Sequence, residues 1–236
     1  MQLERLLHAQ GFGSRRECRA LIRQGRVMLA GTPCVDPFAE VEPDGQRFEV
    51  DGQAWIYREK AYLALNKPAG YECSARPRHH PSVLALLPPA LIRRGVQPVG
   101  RLDQDTTGLL LLSDDGQFIH TLTAPRLRIP KVYEVITKHP VSDALLAALL
   151  AGVRLRDDPE PVAAVACAQT GEHSLRLTLT GGRYHQVRRM IAAAGNRVEA
   201  LHRRAVGGYR LPESLPPGAW QWIEAGEVLG PLAGQS

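Results

Sequence analysis

The segment Gly100-Arg101-Leu102-Asp103-Gln104-Asp105-Thr106-Thr107-Gly108 runs straight into four leucines at 109–112. A short unbroken apolar run bounded by turn residues fits a strand buried on both faces, which only the interior of a sheet provides. The same segment sets the carboxylate of Asp103 between a glycine-bounded turn and the mouth of that strand. An Asp in a turn often does no more than bond its own backbone. One held at the end of a rigid core strand is also well placed for chemistry.

A chain of 236 residues has room for one large domain, or for a small module beside a larger one. Its longest apolar run, residues 144–151, is far too short to span a membrane. The opening Met1-Gln2-Leu3-Glu4-Arg5 lacks the basic-then-apolar build of a secretion signal. Cys18, Cys34, Cys73 and Cys167 form no Cys-x-x-Cys pair, so neither a zinc site nor a disulfide framework is expected. A cytoplasmic protein with reduced thiols is the resulting expectation.

The formal net charge is +5, and its distribution says more than its size. Residues 1–30 carry six Arg against two Glu, and residues 183–210 carry seven Arg against Glu199 alone. Residues 31–58 reverse the balance, with six acids against two Arg. Basic clusters of this kind are the electrostatic footprint of a protein that binds a phosphate backbone.

The first 58 residues read as a separate module. Leu3, Leu6 and Leu7 mark a short amphipathic helix that stops at Gly11 and Gly13. Ser14-Arg15-Arg16-Glu17 has the form of a capping box. The helix it opens puts Arg15, Arg19 and Arg23 on one face, with Arg16 beside them, and Cys18, Leu21 and Ile22 mostly on the other. Gly25 ends it, and residues 26–31 read as a strand entering a turn. This Ser-Arg-Arg-Glu helix followed by Arg-Val-x-x-x-Gly resembles the S4 RNA-binding module over roughly residues 2–50. The resemblance implies that Arg15, Arg16, Arg19 and Arg23 contact RNA.

Residues 59–236 alternate strands with helices. Strands are expected at residues 62–65, 109–112, 131–136, 175–179, 198–202 and near 209–211. Helices are expected near 83–87, from Phe118, from Ser142 to Gly152, and over 185–194. Residues 75–101 hold no acid and read as a basic surface loop around the first of these helices. The pattern indicates an α+β fold with a mixed, mainly antiparallel sheet.

Three separated motifs in this region occur together. Gly-Arg-Leu-Asp103-x-x-Thr-x-Gly comes first, Lys131-Val132-Tyr133 second, and Gly182-Arg183-Tyr184-His185-Gln186-Val187-Arg188-Arg189-Met190 third. With Asn66-Lys67-Pro68-x-Gly70 ahead of them and Leu201-His202-Arg203-Arg204 behind, the set resembles the RNA pseudouridine synthases. That resemblance implies isomerisation of a uridine to its C-glycoside, with Asp103 as the essential carboxylate. Nothing in such an isomerisation requires a metal or a cofactor, and none is expected. The extruded base would pack on Tyr133, and Arg188 would be the cation that keeps Asp103 charged. Arg101 would hold the loop or the RNA backbone. His185 reads as an RNA or structural contact.

An S4 module joined to Gly-Arg-Tyr-His-Gln-Val-Arg-Arg-Met resembles most the branch that acts on small-subunit (16S) ribosomal RNA. The expected partner is therefore ribosomal RNA, naked or within a pre-ribosomal particle, met by a monomer with no membrane attachment. Large-subunit (23S) ribosomal RNA or transfer RNA as substrate, and a non-catalytic RNA-binding protein, stay open as alternatives. A glycosidase using Asp103 and Asp105 is a weaker one, since a basic N-terminal module has no purpose on a neutral sugar.

Overall fold

The computed structural model describes residues 1–156 and 158–230. It divides into two compact units, Met1–Ala61 with Leu87–Gln97, and Tyr62–Leu86 with the described part of Pro98–Ser236.

In the first unit, α1 (Leu3–Ala9) and α2 (Arg15–Arg23) precede a sheet of β1 (Val27–Leu29), β2 (Thr32–Pro33), β3 (Arg47–Val50) and β4 (Gln53–Ile56), in the order β2-β1-β3-β4. A seven-residue helix cannot hold itself together in water. Here Leu3, Leu6 and Leu7 are wholly buried against Cys18, Ile22, Val27 and Phe48, each burial worth roughly 1.5–3 kcal/mol. The capping box forms as expected, with Ser14 accepting from the Glu17 amide at 3.3 Å and Glu17 from the Ser14 amide at 2.7 Å. The short helix α3 (Pro89–Arg93) belongs to this unit as well. Gly11 meets its backbone so closely that a β-carbon would collide with the Ala90 carbonyl, and φ there is +86°. Arg94 donates to Gln10 Oε1 at 2.8 Å and to the Glu59 carbonyl at 2.7 Å.

The second unit is built on β5 (Tyr62–Lys67), β7 (Thr107–Ser113), β8 (Lys131–Thr137), β9 (Ala166–Gly171), β10 (Ser174–Leu179), β11 (Val198–Val206), β12 (Tyr209–Arg210) and β13 (Trp220–Trp222). The two-residue strand β6 (Gln97–Pro98) lies where the chain passes from one unit to the other. The order is β13-β5-β7-β11-β8-β10-β9, with β12 on β11. Only β7 and β11 run parallel; the remaining pairings along this order are antiparallel. The expected α+β fold with a mixed, mainly antiparallel sheet is therefore what forms. Strand β7 sits between β5 and β11, and Leu109, Leu110, Leu111 and Leu112 are all buried. An edge strand could not have buried both faces.

Helices α4 (Gly116–Thr123), α5 (Asp143–Ala151), α6 (Gln186–Ala193) and α7 (Ala225–Leu229) belong to the unit, with short 3₁₀ turns at Val83–Leu86, where a helix is expected near 83–87, and at Pro125–Leu127. Asp115 caps α4 and Ser142 caps α5. No helix among the described residues is long and apolar enough to cross a membrane.

Candidate active site

Asp103 sits in the turn that feeds β7, where the Thr106 amide donates to the Asp103 carbonyl at 3.1 Å. That turn is clasped from below by the Asn-Lys-Pro-x-Gly segment. Lys67, at the end of β5, is completely buried. Its ammonium lies within hydrogen-bond reach of the carbonyls of Pro68 (3.0 Å), Asp103 (3.1 Å), Gln104 (3.1 Å) and Thr106 (2.9 Å), which share its three N–H donors. The Gly70 amide adds a bond to the Gln104 carbonyl at 2.8 Å. Burial pushes the Lys67 ammonium below the usual lysine range, an effect opposed in part by the charges of Asp105 and Asp103. The motif was visible in the sequence but its role was not. The usable signal was a lysine closing a strand that is apolar up to Asn66, and a lysine there cannot be buried without partners.

The close parallel crossing of β7 and β11 completes the floor. Gly108 stands opposite Arg203 in register, and any β-carbon at Gly108 would collide with the Arg203 backbone. This is why the Asp-x-x-Thr-x-Gly spacing needs its glycine. On the other side, β11 pairs Arg203 with Tyr133 of β8.

Asp103, Arg101, Tyr133, His185 and Arg188 all line one cavity of about 1120 Å³. Tyr133 is buried and Arg101 is exposed at its edge. The expected pairing of Arg188 with Asp103 needs correction. Arg188 donates to Asp105 Oδ2 at 2.8 Å instead. The group facing Asp103 is His185, whose Nε2 lies 3.3 Å from Asp103 Oδ1. His185 adopts a left-handed conformation (φ +47°) just before α6, and its ring faces the Asp103 turn. Its ring also stacks on Tyr184 with centroids 3.8 Å apart, and Tyr184 is 76% exposed.

In the first unit, Arg15, Arg16 and Arg23 are exposed. Arg19 differs from the expected stripe. It is ion-paired through its Nε to Glu4, with a second bond from Nη2 at 3.2 Å, and its guanidinium lies 5.3 Å from the Phe38 ring centroid. Its guanidinium holds the Glu4 carboxyl below the usual range. Arg19 thus neutralises a buried carboxylate, a task that helical spacing alone did not reveal.

The chain matches the family model described as RNA pseudouridylate synthase over residues 61–193 and the S4 domain over residues 1–45. It is 40% identical over 229 residues to the ribosomal small subunit pseudouridine synthase A of Escherichia coli (strain K12), which covers 97% of this chain and 98% of that one. It is 38% identical over 231 residues to the uncharacterized RNA pseudouridine synthase YtzG of Bacillus subtilis (strain 168), with 97% of each chain covered. A crystal structure of a pseudouridylate synthase superposes with a TM-score of 0.68 at 31% identity, covering 97% of this chain and 98% of that one. With Asp103, Tyr133 and Arg188 inside one matched model, the arginine-bearing helix inside the other, and relatives aligned nearly end to end, this chain belongs to the RNA pseudouridine synthase family, in the branch that carries an N-terminal S4 domain.

Proposed function

We propose that the protein converts a uridine of small-subunit (16S) ribosomal RNA to pseudouridine, with Asp103 as the catalytic carboxylate. The observation that carries this reading is the placement of Asp103. It is held rigidly by the Lys67 clasp in a cavity that also presents Tyr133 and Arg101. The glycosidic C1′–N1 bond must break, the base must turn, and C5 must bond to C1′. A carboxylate beside the sugar serves this as nucleophile or base. The extruded base can then pack on Tyr133, since an enzyme reaches a base only after it leaves its stack. The small-subunit target is supported by the name of the Escherichia coli relative.

The test is tritium release from C5-labelled uridine in small-subunit ribosomal RNA, naked and in precursor particles. Release without added metal, nucleotide or redox cofactor is expected. Release only from large-subunit or transfer RNA would move the target to that RNA.

The S4 unit is proposed to hold the RNA backbone through Arg15, Arg16 and Arg23. Replacing these three with Ala should weaken RNA binding and flatten its salt dependence, because fewer counterions are released. Thermal stability should hardly change, as all three are exposed. Arg19→Ala should do the reverse, lowering the melting temperature by leaving Glu4 buried and unpaired. A binding titration across salt concentrations, with a melt beside it, reads both; an unchanged salt slope in the triple variant would remove these residues from the interface.

A further inference from the structure

Arg203 is an anomaly that the motifs do not explain. Its side chain is almost wholly buried in the wall of the Asp103 cavity, at 3% exposure. Nε donates to the Leu109 carbonyl at 2.8 Å, but the buried Nη2 has no hydrogen-bond partner among the described residues. A buried guanidinium nitrogen without a partner forfeits its hydration with no return, so native structures seldom retain one without a reason. Lys131, at the head of β8, lines the same cavity. Among the described residues its ammonium donates only to the Ile129 carbonyl, at 3.0 Å, although an ammonium carries three donors. Among the described residues neither cation is ion-paired to a carboxylate. Burial, and then the charge of Arg203, pushes Lys131 down to about 8. Two unneutralised cations in one cavity wall, Arg203 buried and Lys131 partly exposed, call for an anionic or carbonyl-rich occupant.

The proposed reaction creates such an occupant. When the C1′–N1 bond breaks, its electron pair stays on N1 and spreads over the O2 and O4 carbonyls. C5 then attacks C1′ with ring π electrons, the C5 proton leaves and N1 takes one up, so the atoms balance with no co-reactant. We propose that Arg203 and Lys131 form a cationic wall that binds the carbonyl oxygens of the detached uracil and carries its negative charge while the base turns. The inference rests on the function proposed above and adds two catalytic residues to it. A base fits better than a phosphate, because Arg203 is reached only by a group that enters the cavity, whereas the phosphates remain on the RNA backbone.

The test compares Lys131→Met, Lys131→Arg, Arg203→Met and Arg203→Lys with the wild type on one C5-tritiated RNA. Single-turnover release is measured at saturating enzyme, and RNA affinity is measured across salt. Each Met variant should release tritium about 10²–10³-fold more slowly, the usual loss on removing one donor aimed at developing charge. Affinity and salt slope should stay as in wild type, and the variants that keep the charge should recover much of the rate. In RNA carrying 5-fluorouridine, loss of the N-glycoside is followed by nuclease digestion and mass spectrometry. There the deficit of the Met variants should shrink, because fluorine makes the base a better leaving group.

Rates equal to wild type in Lys131→Met would overturn the proposal. So would weaker binding with a salt slope lower by about one, the signature of a lost phosphate contact. Should Arg203→Met fail to fold in a melt, the partly exposed Lys131 decides the outcome. A wild type that releases no tritium from any RNA removes the proposed function itself. Variants that match an active wild type remove only the wall.

Discussion

Asp103→Asn should bind RNA as tightly as wild type and release no tritium from C5-labelled uridine. The substitution keeps size and hydrogen-bonding capacity, so a contact with His185 Nε2, 3.3 Å away in the wild type, can persist. The clasp from Lys67 is made to the Asp103 backbone carbonyl, so the turn should keep its shape. What is lost is the ability to attack carbon or to take a proton. Removing a group with either task costs on the order of 10⁴-fold or more in rate. The measurement is single-turnover tritium release together with a binding titration and a melt. Release at the wild-type rate would refute the assignment of Asp103, while loss of binding or folding would reassign it to structure.

Lys67→Met should be the most damaging change away from the cavity. Methionine matches the length of the stem and has no charge to desolvate, which relieves several kcal/mol. Against this, the carbonyls of Pro68, Asp103, Gln104 and Thr106 lose their common donor. A buried acceptor left unpaired costs about 1–3 kcal/mol; the Pro68 and Thr106 carbonyls lose the donor that Lys67 supplies, while those of Asp103 and Gln104 keep the amides of Thr106 and Gly70. The two terms are comparable in size, so the melting temperature should change little while the tie between β5 and the Asp103 turn is lost. Activity should fall further than stability explains, since misplacing a reacting group by about 1 Å can cost about 10²-fold. The deficit should lie in the single-turnover rate, with RNA affinity unchanged.

The pH dependence of stability gives a separate reading of Lys67. Its folded value lies below the usual 10.5. The unfolded chain then binds more protons across the window from that lowered value up to 10.5, so this group makes wild type more stable as pH rises through it. The Met variant should lack this rising component. A melt series on both proteins that shows parallel pH curves would mean that burial does not lower the Lys67 value in the folded protein.

What the sequence by itself determined was governed by neighbours a few residues apart. Not all that is local was read, though: the hairpin of β3 and β4 turning at Asp51-Gly52 lies where an acidic edge and linker are expected. The capping box at Ser14 and Glu17, the helix stops at Gly25 and Gly152, and the turn before residues 109–112 are local hydrogen-bonding and steric matters. The unbroken leucine run likewise announced a central strand, because only such a strand loses water from both faces. Strand β9 was missed for the same reason in reverse. It is mostly exposed and shows no apolar alternation. The packing of α3 with the first unit was invisible too, since its contacts with Gly11 and Gln10 join residues about 80 positions apart (Gln10 and Arg94 are separated by 84).

Which long side chain pairs with which carboxylate was decided only by the tertiary structure. Asp103 and Asp105 are two residues apart on one turn, and nothing local says which of them Arg188 reaches. In the fold the imidazole of His185, at its left-handed turn, faces Asp103, and Arg188 pairs with Asp105. Arg19 and Arg23 are equivalent by helical spacing, yet only Arg19 finds the buried Glu4 of another helix. Arg203 reads as one more arginine in a basic stretch until the β7–β11 crossing at Gly108 buries it. The physical reason is common to all three. Backbone conformation answers to short-range geometry, whereas the partner of a long charged side chain depends on which groups the fold brings within about 3 Å, the reach of a hydrogen bond, after every other contact is made.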